Sequence, residues 1–197
     1  MPTHPFLILK NMACDLTRGR KEGCKDQVGG LKAIYFTDFG DLGTISYADT
    51  ANEDYQITDL SGTFTAYKYE LKGNSNFEQT ITANLENGTT FFEQSLNVTL
   101  KQLSKEDHKE LKLLSYGRPH IAVEDYNGNV FLMGTEHGAE LSGGTIATGA
   151  SMGDLSGYSL TFTGMERRPA NFVDAPTDGS PFAGMASATA TITEGTN

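Results

Sequence analysis

The chain has 197 residues, of which 38% are hydrophobic and 20% charged, and its formal net charge is −10. This length and composition suit one domain that buries a core of its own, and they exclude a disordered chain. The acidic balance argues against a surface that grips a nucleic-acid backbone, which needs clustered Lys and Arg. The 22 Gly, the absence of Trp and the recurrent Thr and Ser favour strands and turns over helices.

The charges are unevenly distributed along the chain. Residues 36–66 contain six acidic residues and no Lys or Arg, and the same is true of residues 121–166. Residues 1–35 reverse this balance, with six basic residues against three acidic ones. One interpretation is that the distribution serves only solubility. The other is that the protein has an acidic and a basic face, which favours head-to-tail or ring contacts between copies.

The N-terminal third is predicted to contain an arm and two short strands. Residues 1–30 are rich in Gly and charge, which is typical of an irregular arm. Strands are predicted at residues 31–36 and 44–47, and an acidic loop follows at residues 49–54. Two cysteines, Cys14 and Cys24, match no zinc-site spacing and are predicted to be reduced.

Three longer strands are predicted at residues 63–71, 77–85 and 90–103, because apolar and polar residues alternate there. Asn87-Gly88 joins the last two, and this pair predicts a tight type I′ turn with positive φ at both positions. The third strand is long. A long strand with one polar face is typical of a large sheet, a barrel or an arm that contacts a partner.

A short helix is predicted after Ser104, whose hydroxyl caps the first turn, with Asp107 at the capping-box position. Leu111 and Leu114 lie on one side of it, and residues 117–119 (Gly-Arg-Pro) are predicted to end it. At about three turns, such a helix covers one sheet and does not build a helical domain.

A second hairpin is predicted from residues 120–126 and 130–134, joined at Asn127-Gly128. Residues 138–157 are rich in Gly, Thr and Ser and are interpreted as a flexible or irregular connection. Residues 158–164 alternate again and predict a strand that places Tyr158, Leu160 and Phe162 together.

The chain is therefore divided into an N-terminal arm (1–30), a β domain (31–173) and a C-terminal tail (174–197). Within this tail, residues 186–193 either add a late strand or stay loose. No segment approaches the roughly 20 apolar residues of a membrane span. The apolar run at residues 6–9 is too short for a signal peptide, so folding in a cytoplasm without a membrane anchor is predicted.

Motifs for chemistry are weak. The four His residues are scattered, and Glu136-His137 lacks the second His of a metalloprotease helix. Residues 149–153 match the letters of a Gly-x-Ser-x-Gly nucleophile elbow around Ser151, but neither a buried strand nor a helix flanks them. A carboxylate pair for glycoside hydrolysis stays open, since any two carboxylates can meet. We predict no catalytic residue, no metal ligand, no cofactor and no enzymatic activity.

The order of elements resembles the tail tube proteins of tailed bacteriophages and the related tubes of contractile injection systems. The resemblance rests on residues 91–103 (Phe-Phe-Glu-Gln-Ser-Leu-Asn-Val-Thr-Leu-Lys-Gln-Leu), the helix after Ser104 and residues 118–134. Residues 153–166 are also similar to the closing strand of many virion structural proteins. The resemblance to tail tube proteins as a whole covers residues 63–173. It consists of a pattern of elements and turns, without an invariant chemical motif.

This resemblance implies a mainly β fold, a β-sandwich or barrel with long hairpins and one short flanking helix. It also implies a hexameric ring whose hairpins form one inner barrel, stacked into a conduit for DNA. The implied partners are other copies, other virion tail proteins and genomic DNA that passes without specific binding. The implied location is the virion tail, after assembly in the bacterial cytoplasm. An acidic interior would repel phosphate, and ring closure would remove exposed edges.

Two other functions stay open at this point. The first is a connector, baseplate or decoration protein of the virion with a similar β fold. The second is a monomeric β-sandwich module that binds glycans, although such sites usually display aromatic platforms and the chain has no Trp.

Overall fold

The computed structural model describes residues 19–48 and 56–195. Alternating sequences form most of the strands, and one capped segment forms the helix. The elements are β1 Leu31–Thr37, β2 Ile45–Tyr47, β3 Gln56–Leu60, β4 Thr63–Glu70, β5 Asn76–Asn84, β6 Thr89–Lys101, α1 Lys105–Leu114, β7 His120–Asp125, β8 Val130–Met133, β9 Glu140–Ala147, β10 Gly157–Glu166, β11 Asn171–Val173 and β12 Thr189–Glu194. The predicted loop at 49–54 lies outside the described residues, as does most of the predicted arm.

The strands form two sheets, and the prediction of a mainly β fold with one short helix is confirmed. The larger sheet has eight strands in the order β12-β4-β1-β7-β8-β11-β3-β2, and the smaller has four in the order β5-β6-β10-β9. Neither sheet closes into a barrel within the described part of one chain. The strands β3 and β4 lie far apart in the order although only Ser61 and Gly62 join them, so the larger sheet must curl strongly.

Two apolar cores lie on opposite faces of the eight-stranded sheet. The first core lies between the two sheets and includes Ile34, Ile121, Leu96 and Phe162, with Leu111 of α1 packed against them. The second lies inside the curl of the larger sheet and is closed by Phe182 of the C-terminal segment. Because the central strands contact both cores, they are buried on both faces. The smaller sheet has only one buried face.

The β5–β6 hairpin forms as predicted, but its turn is not of type I′. Asn84 pairs with Thr89, so four residues form the loop, and Gly88 has φ +62° whereas Asn87 does not have a positive φ. The Asn84 side chain accepts a hydrogen bond from the Asn87 N–H at 3.0 Å, which stabilises this wider loop. The second hairpin, between β7 and β8, is confirmed.

The predicted irregular connection at residues 138–157 is wrong, because β9 lies within it and pairs with β10. An edge strand needs little apolar surface, since its backbone ladder supplies most of its contacts. The small residues also have a packing role, because a Cβ on Gly144 would lie 2.9 Å from Leu160 Cδ2. The short strands β3 and β11 are not among the predicted elements, and they pair in parallel with each other.

The helix begins as predicted, since the Ser104 hydroxyl accepts a hydrogen bond from the Asp107 N–H at 2.9 Å. It ends earlier than predicted, at Leu114, where the Ser115 N–H bonds to the Leu111 carbonyl. The late strand considered for residues 186–193 forms as β12 and pairs in parallel with β4. This pairing covers the edge of the larger sheet at β4.

Candidate functional site

The four-stranded sheet has one face that contacts no other element of the described chain. The cross-strand pairs place Thr80 beside Glu93, and Asn97 beside Thr161 on this open face. The Thr161 hydroxyl bonds to the Asn97 side chain at 2.9 Å, and Ser142 bonds to Thr163 at 2.9 Å. Small polar side chains on this face are therefore joined by hydrogen bonds. The face is mainly polar and does not have the continuous apolar surface of a core.

Charge on the open face is mostly negative. Register places three carboxylates on it, Glu78, Glu93 and Glu140, and one basic side chain, Lys101, at the end of β6. The apolar side chains Phe91 and Met165 lie on it only near the β5–β6 hairpin. A ligand that is a phosphate polymer would meet repulsion here, not binding.

Both outer strands of this sheet have an unpaired edge within the described residues. β5 has nine residues and pairs with β6 alone, and β9 has eight residues and pairs with β10 alone. Neighbouring strands in the sheet are all antiparallel, so β5 and β9 run in opposite directions. Long unpaired edges are templates for pairing with another chain, and soluble proteins usually block them.

The two ends of the sheet differ. The hairpin tip, defined as residues 82–91, extends beyond the last pair of β10, and Leu85 there is 98% exposed. The opposite end, defined as residues 71–75, 101–102 and 148–156, contains Met152, which is fully exposed. Each end of the sheet therefore has at least one large apolar side chain in contact with solvent.

A group of hydrogen-bonded polar residues lies between the two sheets. This inter-sheet polar cluster consists of Gln94, His120, Gly134, His137 and Glu166. The Glu166 carboxylate is 1% exposed, and its Oε1 accepts from the N–H groups of Glu136 and His137 at 3.1 and 2.9 Å. Gln94 accepts from the Gly134 N–H at 3.0 Å. These bonds tie the segment between β8 and β9 to the four-stranded sheet.

Sequence reasoning missed this cluster, because Glu166 is distant from Glu136-His137 along the chain. Ligand atoms of Glu136, His137 and Glu166 lie within 4.8 Å of one another. Imidazole nitrogen and carboxylate oxygen are also donor types that divalent cations bind. The backbone amides already occupy one Glu166 oxygen, and His137 Nδ1 lies 3.3 Å from the other. Glu166 therefore joins two backbone N–H groups and the His137 ring at this point.

His120 is a neutral imidazole between two backbone groups. Its Nδ1 lies 2.5 Å from the Gly134 carbonyl oxygen and therefore carries the proton, while Nε2 accepts from the Gly40 N–H at 3.1 Å. The Phe39 ring stacks on it with centroids 5.0 Å apart. Burial lowers the pKa of His120, and the bond to the Gly134 carbonyl opposes this only in part.

The free energy of unfolding is expected to fall as the pH drops below about 6.5, the ordinary pKa of histidine. In that range the unfolded imidazole is protonated and the folded one is not, so the unfolded state binds more protons. This group contributes a slope of up to about 1.4 kcal/mol per pH unit. Urea unfolding across this range checks it. His120→Gln should flatten this slope, and an unchanged slope in that variant would contradict the assignment.

A second charged cluster lies near the start of β1. The buried Glu124 carboxylate accepts from Lys32 Nζ at 2.8 Å and from the Tyr35 hydroxyl at 2.8 Å, and Lys32 also pairs with Asp178. Asp178 and then Glu124 raise the pKa of Lys32, and Lys32 lowers the pKa of Asp178. Each charge has a partner, so the cluster anchors the C-terminal segment and offers no reactive group.

The weak catalytic motif lies in an exposed loop. Ser151 follows β9, and its N–H and that of Ala150 donate to Asp154 Oδ2 at 2.8 and 2.9 Å. Among the described residues, no helix follows it and no His approaches it in a hydrogen bond. These bonds lower the pKa of Asp154. The geometry is that of a closed turn, not of a nucleophile elbow.

The fold and this site define a mainly β protein of two facing sheets, with one open polar sheet face and two unpaired edges. No family model matches the sequence, and no curated protein or solved structure matches the chain. Within the described residues, no helix has the length and apolar character required to cross a bilayer.

Proposed function

We propose that this protein is a virion structural protein that forms stacked rings of a phage tail tube and conducts DNA without catalysing a reaction. The observation that carries the proposal is the four-stranded sheet, which is covered on one face, polar on the other and unpaired at both edges. The resemblance of the sequence to tail tube proteins supports the same function.

Strand direction allows copies to pair head to tail through their free edges. Since β5 and β9 run in opposite directions, β9 of one copy meets β5 of the next as an antiparallel pair. Repeating this head-to-tail contact gives either a closed ring or an open helix, and ring closure leaves no edge exposed. A two-fold contact through β5 alone would leave both β9 edges unpaired.

The dimensions agree with a conduit. Each copy contributes four strands, and these span about 19 Å of perimeter at the usual strand spacing. Six copies, the number implied by the resemblance, place 24 strands in one wall. Membrane barrels of about 16–18 strands already enclose an aqueous channel, so this ring leaves a wide lumen.

The open face suits the lumen side of that wall. Its hydroxyl and amide side chains offer no clustered positive charge, and its three carboxylates repel phosphate. DNA would then slide through without specific binding. The eight-stranded sheet and α1 lie on the outer side of such a ring, because they cover the other face of the smaller sheet.

Assembly of the purified protein tests the proposal. Mass photometry and negative-stain images are expected to find rings of uniform copy number and short stacks of them. A strict monomer at high concentration would contradict the proposal. A monomer that binds a glycan array would instead support the glycan-binding module. Electron microscopy of the labelled native particle would support another virion part if the label lies at the baseplate or connector.

A further inference from the structure

We propose that rings stack by placing the hairpin tip of one copy against the opposite end of the sheet in a copy of the next ring. Glu86 then faces Lys72 and Lys101, and Leu85 contacts the loop that contains Met152. This inference rests on the proposed ring and names the surface that joins one ring to another.

The positions of the two surfaces follow from strand register. Asn84 pairs with Thr89 at one end of the sheet, whereas Lys101, Gly157 and Ala147 pair in one row at the other. In the proposed ring the strands run from one rim of the wall to the other. The hairpin tips of all copies then lie at one rim, and the opposite ends of the sheets lie at the other. Stacked rings in one orientation therefore bring unlike ends together.

The two ends carry opposite charge. Glu86 is the only charged side chain of the hairpin tip. The opposite end has Lys72, Lys101 and Asp154, and the last already accepts two N–H groups of its own loop. Among the described residues neither lysine forms an ion pair. A second copy of the chain supplies the carboxylate that these lysines lack.

Apolar exposure points to the same pair of surfaces. Leu85 is 98% exposed and Ile81 66% exposed near the tip, and Met152 is fully exposed at the other end. Each apolar contact is small, but a ring repeats it at every subunit, so the total stabilisation grows with copy number. The same repetition makes stacking sensitive to one charge change.

Charge reversal tests the contact. Glu86→Lys alone, and Lys72→Glu with Lys101→Glu, should each form single rings with at least about tenfold fewer stacks, because like charges repeat around the ring. The triple variant should restore stacking. Negative-stain images at low salt count rings and stacks, and added salt should reduce wild-type stacking since it screens the pairs.

The outcomes separate the two proposals. If single rings form but Glu86→Lys stacks like the wild type, or the triple variant fails to stack, the axial contact is wrong while the ring stands. If the wild type forms no ring, the proposed function fails and this inference falls with it. Glu110→Lys, a reversal on α1 that lies outside both end surfaces and outside the open face, is the matched control and should leave stacking unchanged.

Discussion

Proline on the free edge of β5 or β9 is expected to abolish ring assembly while the chain stays folded. Proline has no backbone N–H and its ring obstructs an approaching strand, so an edge that carries it does not accept a neighbour. On an edge strand proline is tolerated where the N–H points away from the sheet. The change therefore removes the contact between copies and leaves the contacts within each copy.

Adjacent positions give the experiment its internal control. In an antiparallel strand the N–H groups of successive residues point to opposite sides. Of Thr80 and Ile81 in β5, one therefore directs its N–H toward β6 and the other directs it toward the free edge. Proline is placed at each position in turn. One variant loses a hydrogen bond to β6 and melts at a lower temperature, whereas the other keeps the wild-type Tm. Thr145→Pro and Ile146→Pro form the same pair in β9.

Thermal unfolding with mass photometry decides the outcome. In each pair, the variant that keeps its Tm should be a monomer. The control is the pair Thr191→Pro and Ile192→Pro in β12, an edge strand of the larger sheet that has no role in the proposed ring. Rings formed by a thermally normal β5 or β9 variant would rule out assembly through these edges.

The second largest expected effect is a loss of folding stability when the Glu166 carboxylate is removed. Glu166→Ala should lower the free energy of unfolding by about 2–3 kcal/mol, because the N–H groups of Glu136 and His137 lose their acceptor. Glu166→Gln should cost less, since its amide oxygen still accepts one or both of these bonds. Urea denaturation measures both variants.

Glu140→Ala is the matched control, because Glu140 is an exposed carboxylate on the same sheet and its loss should stay within about 0.5 kcal/mol. An equal loss for Glu140→Ala and Glu166→Ala would contradict the structural role of the inter-sheet polar cluster. A gain in stability of the wild type with Zn²⁺ or Mn²⁺, absent in His137→Ala, would instead indicate that Glu136, His137 and Glu166 hold a cation.

The sequence alone was sufficient for the elements that carry a local signal. Apolar alternation identified β4, β5, β6 and β10, because one face of each is buried and the other is not. The Ser104 cap identified the start of α1, since this bond spans only three residues along the chain. The mainly β class follows from these elements together.

Only the tertiary structure decided the features that depend on distant partners. β9 has little apolar surface, and β3 and β11 are short, so each forms because another strand offers a backbone ladder. Glu166 meets His137 only after β10 packs beside the segment that follows β8. The two open edges likewise appear only in the strand order, because a sequence pattern records which face of a strand is buried but not which strand lies beside it.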